Sequence, residues 1–279
     1  MAADLIVATG VEVVYGARRG LFGDRPGTRV LHGVDVRVGR GETVGIVGES
    51  GSGKTTLGRA LIRLVEPSAG RVVFDGTDVT HMGEDALRPL RRRMQMIFQD
   101  PMACLNPRHT IRRILEGPLR LHGLATDAIS AGRRVAAMLD KVGLPQAVLE
   151  RHPHELSGGQ RQRVGIARAA VLEPDFVLAD EIVSGLDVST QAQVLRLLKD
   201  LSADMGLSMA FISHDLSVVR AVCDRVYVMR HGVIVEEGRC EELFAAPKAP
   251  YTRALIDAVP LPEIDPGWLD RRTDFEDAA

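Results

Sequence analysis

Apolar residues fall into two spacings along this chain. Runs of four or five, closed by a glycine, a glutamine, a histidine or an acid, lie at 42–48 (ETVGIVG), 94–98 (MQMIF), 176–180 (FVLAD) and 209–213 (MAFIS), and predict short buried strands. β-Branched stretches at 5–15 and about 30–38 predict two further strands. Hairpins are expected at 71–79, turning at an Asp-Gly pair, and at 226–238, turning at His231-Gly232. Helical spacing marks 55–65, 216–223 and 251–259, and also 191–206, where Val194, Leu197, Leu198 and Leu201 share a face. Between 101 and 155 the spacing is helical, with Pro and Gly breaks and no strand alternation, so a helical subdomain inserted into an α/β core is expected.

The Gly- and Arg-rich segment 16–29 reads as a solvated hairpin tip, with contact to a partner or to lipid headgroups as the alternative. Arg91-Arg92-Arg93 reads as a solvated strand edge. Composition then narrows the class. With 45% hydrophobic and 26% charged residues in 279, the chain is neither disordered nor fibrous. A net charge of −2 lacks the basic excess of many nucleic-acid binders. Cys104, Cys223 and Cys240 are widely spaced, which argues against a disulfide framework or a zinc site and fits a reducing compartment. No apolar run reaches 18 residues, and Asp4 stands where a signal peptide needs positive charge, so attachment to a membrane would have to come through a partner.

Lys54 is one of only four lysines, and it completes Gly48-Glu49-Ser50-Gly51-Ser52-Gly53-Lys54-Thr55, a full G-x-x-x-x-G-K-[ST] between a strand and a helix. The glycines let successive N–H groups turn toward phosphate oxygens, and the helix start adds partial positive charge. Lys54 reaches the β- and γ-phosphates, Thr55 is a Mg²⁺ ligand, and Thr56 completes the nucleotide-binding set. Such a loop needs an acidic strand end. Asp180 supplies it as a metal ligand, and Glu181 is placed to act on an attacking water. Gln99 and His214 also end strands, where they could reach metal, water or the γ-phosphate, although each alone would pass for an ordinary loop residue.

Further on, Leu156-Ser157-Gly158-Gly159-Gln160 resembles the signature segment of the ATP-binding-cassette (ABC) ATPases. In order, the chain carries the phosphate loop, Gln99 at the Q-loop place, the signature, Asp180/Glu181, Ser184-Gly185-Leu186-Asp187 at the D-loop place and His214 at the H-loop place. More narrowly, GESGSGKTT, 94–108, the DLSVVR segment and 236–260 resemble the oligopeptide/dipeptide permease ATPases, closer to the F-type subunit because no cysteine-rich tail follows.

That resemblance implies a P-loop NTPase fold: a RecA-like core with an antiparallel β subdomain, and a helical signature subdomain over about 101–165. The cassette would span 1–245 and a transporter-type extension 246–279. Tyr15 would stack on adenine, an inward strand tyrosine being the plainer alternative. Ser157, Gly158, Gly159, Gln160 and Asp187 would touch ATP across a dimer of cassettes. Lys54, Gln99, Glu181 and His214 would be catalytic, and Thr55, Gln99 and Asp180 would hold Mg²⁺.

The implied function is ATP hydrolysis driving a peptide importer at the cytoplasmic membrane face. Its partners would be membrane permeases, a second cassette of the same or another kind and, indirectly, a periplasmic or lipid-anchored solute-binding protein, with no nucleic acid. The alternatives are a cargo such as nickel or glutathione, an ABC-type ATPase acting on DNA or the ribosome, or a non-catalytic regulatory subunit. One departure bears on activity. The family reads DEPTSALD where this chain has Ile182 and Val183 in place of proline and threonine, which frees φ at 182 and would loosen the turn that carries Glu181.

Overall fold

The computed structural model describes residues 4–16 and 27–258. Most of segment 16–29, and everything beyond 258, lie outside the described residues. The chain begins with β1 (Asp4–Tyr15), β2 (Thr28–Gly39), β3 (Thr43–Val47), α1 (Lys54–Leu61), β4 (Ala69–Phe74), β5 (Thr77–Asp78), α2 (Glu84–Arg93) and β6 (Met94–Ile97). Helices follow: α3 (Pro101–Cys104), α4 (Ile111–Leu121), α5 (Ala128–Lys141) and α6 (Gly158–Ala170), with 3-10 turns at Gln146–Glu150 and Pro153–Glu155. Alternation resumes with β7 (Phe176–Asp180), α7 (Val188–Met205), β8 (Ser208–Ile212) and α8 (Leu216–Val222). The described chain closes with β9 (Arg225–Arg230), β10 (Val233–Arg239), α9 (Cys240–Ala245) and α10 (Pro250–Asp257).

Among the described residues these strands form two sheets. One is antiparallel, in the order β2-β1-β4-β5; the other runs β10-β9-β3-β8-β7-β6. Within the second, β9, β3, β8, β7 and β6 are parallel and β10 is antiparallel to β9. β3, β7 and β8 are buried along their whole length, as central strands covered on both faces must be. Alternation sorts their side chains into two cores. Phe176, Leu178, Ala210 and Ile212 face α1 and the antiparallel sheet, whereas Val177, Ala179, Met209 and Phe211 face α7, α8 and the helical region.

The helical stretch coheres for the same reason: Leu115, Leu119, Val135 and Leu139 of α4 and α5 join Val164 and Ile166 of α6 in one apolar cluster. Its helices start where their caps allow. Thr110 accepts from the Arg113 N–H, and Asp127 and Ser130 cap each other reciprocally. The hairpin at 71–79 turns at Asp75 and Gly76, both at positive φ, as an Asp-Gly turn of this hand requires.

Two expectations need correction. The helix predicted over 55–65 ends at Leu61, because Arg63 takes φ +56 and buries its guanidinium, with Nε donating to the Val79 carbonyl at 2.6 Å. Arg91-Arg92-Arg93 is the last turn of α2 rather than a strand edge. Arg91 donates to the Ile62 and Arg63 carbonyls, and Arg93 pairs with Asp75 and Asp175. No helix among the described residues is long and apolar enough to cross a membrane.

Candidate functional site

Strand order decides what meets here. Because β9, β3, β8, β7 and β6 run parallel, their C-terminal ends share one edge, where loops of open parallel sheets gather ligands. The phosphate loop leaves β3, Gln99 follows β6, Asp180 and Glu181 close β7, and Ser213 and His214 follow β8.

Gly48 leaves β3 at φ +144, and a Cβ there would lie 2.1 Å from the Met229 carbonyl oxygen, so only glycine fits. The Ser52 N–H then turns back to the Glu49 carbonyl at 3.2 Å, and the Gly232 N–H donates to the Ser52 carbonyl at 2.9 Å. α1 opens without a side-chain cap, which leaves its first amides for a ligand. Lys54 is buried, and its Nζ donates to the carbonyls of Gly48 and Glu49, each at 2.8 Å. Burial pushes its ammonium below the ordinary lysine range, although Glu181, Asp180 and Glu49 pull the other way. Ser50, Gly51, Gly53 and Lys54 of the loop, with Thr55, Thr56 and Glu181, line a cavity of about 220 Å³, and the buried Ser52 Oγ has no hydrogen-bond partner among the described residues. A polyphosphate oxygen in that cavity would accept from the Lys54 ammonium and from the free amides that open α1.

Thr55 Oγ1 donates to Asp180 Oδ1 at 3.0 Å. Burial raises the Asp180 carboxyl above its usual value, with the Thr55 hydroxyl offsetting part of that cost. A buried carboxylate beside a hydroxyl, with the Gln99 amide at the adjacent Glu181, is an oxygen-donor set suited to Mg²⁺. Glu181 stands at φ +49, strained for a non-glycine residue, with its N–H held by the Ile212 carbonyl at 2.9 Å. Its Oε2 accepts from Gln99 Nε2 at 3.3 Å and lies 3.6 Å from His214 Nδ1. Ile182 and Val183 are buried in the apolar core. The Ser184 N–H bonds the Glu181 carbonyl and the Leu186 N–H bonds that of Val183, so backbone hydrogen bonds and the apolar burial of Ile182 and Val183 hold the turn where no proline restricts φ.

Ser157 caps α6, its Oγ accepting from the Gln160 N–H while its own N–H bonds Gln160 Oε1. Asp187 caps α7, accepting from Ser189 and Thr190, and these bonds hold its carboxyl well below the usual range. Ser157, Gly158, Gly159, Gln160 and Asp187 share a second cavity of about 490 Å³, which has no lining residue in common with the first. Within one chain, therefore, the signature residues sit with Asp187 and apart from Lys54. Tyr15 ends β1 half-exposed, at 43%, rather than turned inward.

One contact had no motif to announce it. The Glu49 N–H donates to the hydroxyl of Tyr251, in α10, at 3.2 Å. Its only sequence signal is an aromatic placed directly after the helix-opening Pro250.

Known proteins resemble this chain in sequence and in fold. A family profile described as ABC transporter matches residues 31–184, and one described as oligopeptide/dipeptide transporter, C-terminal region, matches 235–276. A Brucella ovis protein provisionally named a peptide import ATP-binding protein is 54% identical over 237 residues, covering 85% of this chain and 74% of that one. The oligopeptide transport ATP-binding protein AppF of Bacillus subtilis is 47% identical over 253 residues, covering 90% and 77%. Among solved structures, cbiO1 of Clostridium perfringens, part of the ABC transporter complex cbiONQ, superposes with a TM-score of 0.76 at 27% identity, covering 87% and 91%. The ATP-binding cassette MJ0796, a dimer bound to ADP and Pi, gives 0.74 at 29% identity, covering 84% and 98%.

Proposed function

We propose, because the chain belongs to the ABC transporter family, that this ATP-hydrolysing cassette drives peptide import through separate membrane permeases. Family and fold carry ATP binding and hydrolysis. Peptide as the cargo rests on the names of the relatives and on the matched C-terminal region.

One observation supports the assignment of roles most strongly: the convergence of Lys54, the Thr55–Asp180 pair and the Glu181–Gln99–His214 cluster on one sheet edge. Lys54 exchanges the Gly48 and Glu49 carbonyls for phosphate oxygens. Gln99 and His214 hold the Glu181 carboxylate so that it accepts a proton from, or orients, the attacking water. Thr55, Asp180 and Gln99 would hold Mg²⁺, which when bound neutralises charge on the phosphate oxygens. Tyr15, exposed at the end of β1, would stack on adenine.

The separate signature cavity suits a partner cassette's nucleotide better than the chain's own, since the amides opening α6 present positive charge away from Lys54. Two cassettes would then close on two ATP molecules, and hydrolysis would part them. The helical region, taken as about 101–165, would pass that motion to permeases at the inner membrane face. The remainder of 1–245 would form the catalytic core, with 246–279 as an extension and a solute-binding protein acting only through the permeases.

The test is reconstitution with the cognate permeases in lipid vesicles. ATP-driven uptake of a labelled oligopeptide is expected, and Lys54→Ala should abolish both uptake and ATP affinity. Stimulation of phosphate release by nickel or glutathione but not by peptides would overturn the cargo assignment.

A further inference from the structure

The peptide joining Gly48 to Glu49 is gripped from two sides. Its carbonyl accepts from Lys54 Nζ at 2.8 Å, and its N–H donates to the Tyr251 hydroxyl at 3.2 Å. Gly48 stands at φ +144 and has no side chain to resist rotation of that peptide, so these two contacts bear most of the task of orienting it.

The hydroxyl is not there by casual approach. Glu236 of β10 accepts the N–H groups of Lys248 and Ala249 at 2.8 and 2.9 Å, which anchors the start of α10. Thr252 is buried, and Leu255 and Ile256 pack on the larger core. The Arg230 guanidinium lies 4.8 Å from the Tyr251 ring centroid, and the preceding residue, Met229, sets its carbonyl against Gly48. The end of β9 and the helix of the C-terminal region thus both close on the phosphate loop.

From this we infer that Tyr251 is a positioning residue for nucleotide binding, through which the C-terminal region sets the shape of the phosphate loop. The inference rests on the reading of that loop as the nucleotide site. When Lys54 turns from the Gly48 carbonyl to phosphate, Tyr251 becomes the remaining clamp on this peptide and keeps it from flipping. Removing the hydroxyl lets the empty and the occupied loop sample other orientations, and binding then has to select the competent one.

Tyr251→Phe in the full chain is the test, because the ring and its stacking on Arg230 remain. Loss of one such hydrogen bond corresponds to about a two- to tenfold rise in the Kd and KM for ATP. The turnover at saturating ATP should change less than the KM does. Without nucleotide, the melting temperature should hold, while amide exchange over residues 48–53 quickens. An unchanged Kd together with unchanged exchange would overturn the proposal, as would a loss of affinity that merely follows a loss of thermal stability. Lys54→Ala is the reference. If it too leaves ATP affinity unaltered, the nucleotide site itself is wrongly placed; if it alone weakens binding, only the role of Tyr251 fails.

Discussion

Glu181 shows how much a single residue here depends on its surroundings. It sits in a left-handed conformation, anchored by the Ile212 carbonyl, with Gln99 and His214 at its carboxylate. Glu181→Gln keeps the shape and removes the proposed base, so ATP affinity should persist while phosphate release falls about 10²- to 10⁴-fold, a split that single-turnover kinetics would expose. Val183 makes a complementary case. It is 5% exposed, and Val183→Thr would restore the family's residue yet bury a hydroxyl, costing about 1–2 kcal/mol on chemical unfolding. The residues proposed to bear the chemistry are legible in the sequence because a phosphate cradle is built from consecutive amides and its carboxylates end apolar runs. Tyr251 is not, because its contact with Glu49 spans 202 positions and rests on where α10 packs, which no local spacing records.

At the scale of elements, the buried strands declared themselves and the polar helix did not. β3, β7 and β8 are short apolar runs with few alternatives. α2 buries only Leu87 on a charged surface and carries Pro89 within it, so its sequence offers a helix breaker in place of an apolar run and its arginines pass for a solvated edge. Close packing of α1 on the sheet depends on Gly58, where a Cβ would lie 2.6 Å from Leu178 Cδ1 and 2.9 Å from Ile212 Cδ1. Both side chains are fully buried, so Gly58→Ala should cost about 1–3 kcal/mol in stability measured by denaturant.

Charge also links elements. Glu42, just before β3, bonds Arg225 of β9 at 2.8 Å and accepts the Gly39 N–H. Burial pushes its carboxyl up, but those hydrogen bonds and the Arg225 charge outweigh it and leave Glu42 below its usual 4.5. A depressed carboxylate stabilises the fold above its unfolded pKa and ceases to do so as pH falls through the folded one. Thermal melts should therefore decline below about pH 4.5, and Glu42→Gln should flatten that decline while lowering stability at pH 7.

For the molecule as a whole, two cavities that share no wall make a lone cassette an incomplete enzyme under the reading proposed. Glu181→Gln, expected to bind ATP without consuming it, should accumulate as a dimer in sedimentation experiments with ATP and return to monomer with ADP. A monomer under both conditions would count against action across a partner. Such a machine also needs a stiff frame, and α2 provides one at the edge remote from the phosphate loop. The Arg93 guanidinium joins Asp75, in the hairpin turn of the antiparallel sheet, to Asp175, at the threshold of β7, and stacks on Phe74 at 5.0 Å. The Tyr227 hydroxyl and the Arg225 guanidinium, both bonded to the Arg37 backbone, tie the same two sheets together at a second place. Under the proposed reading, a swing of the cassette on ATP cleavage would then fall to the helices between β6 and β7.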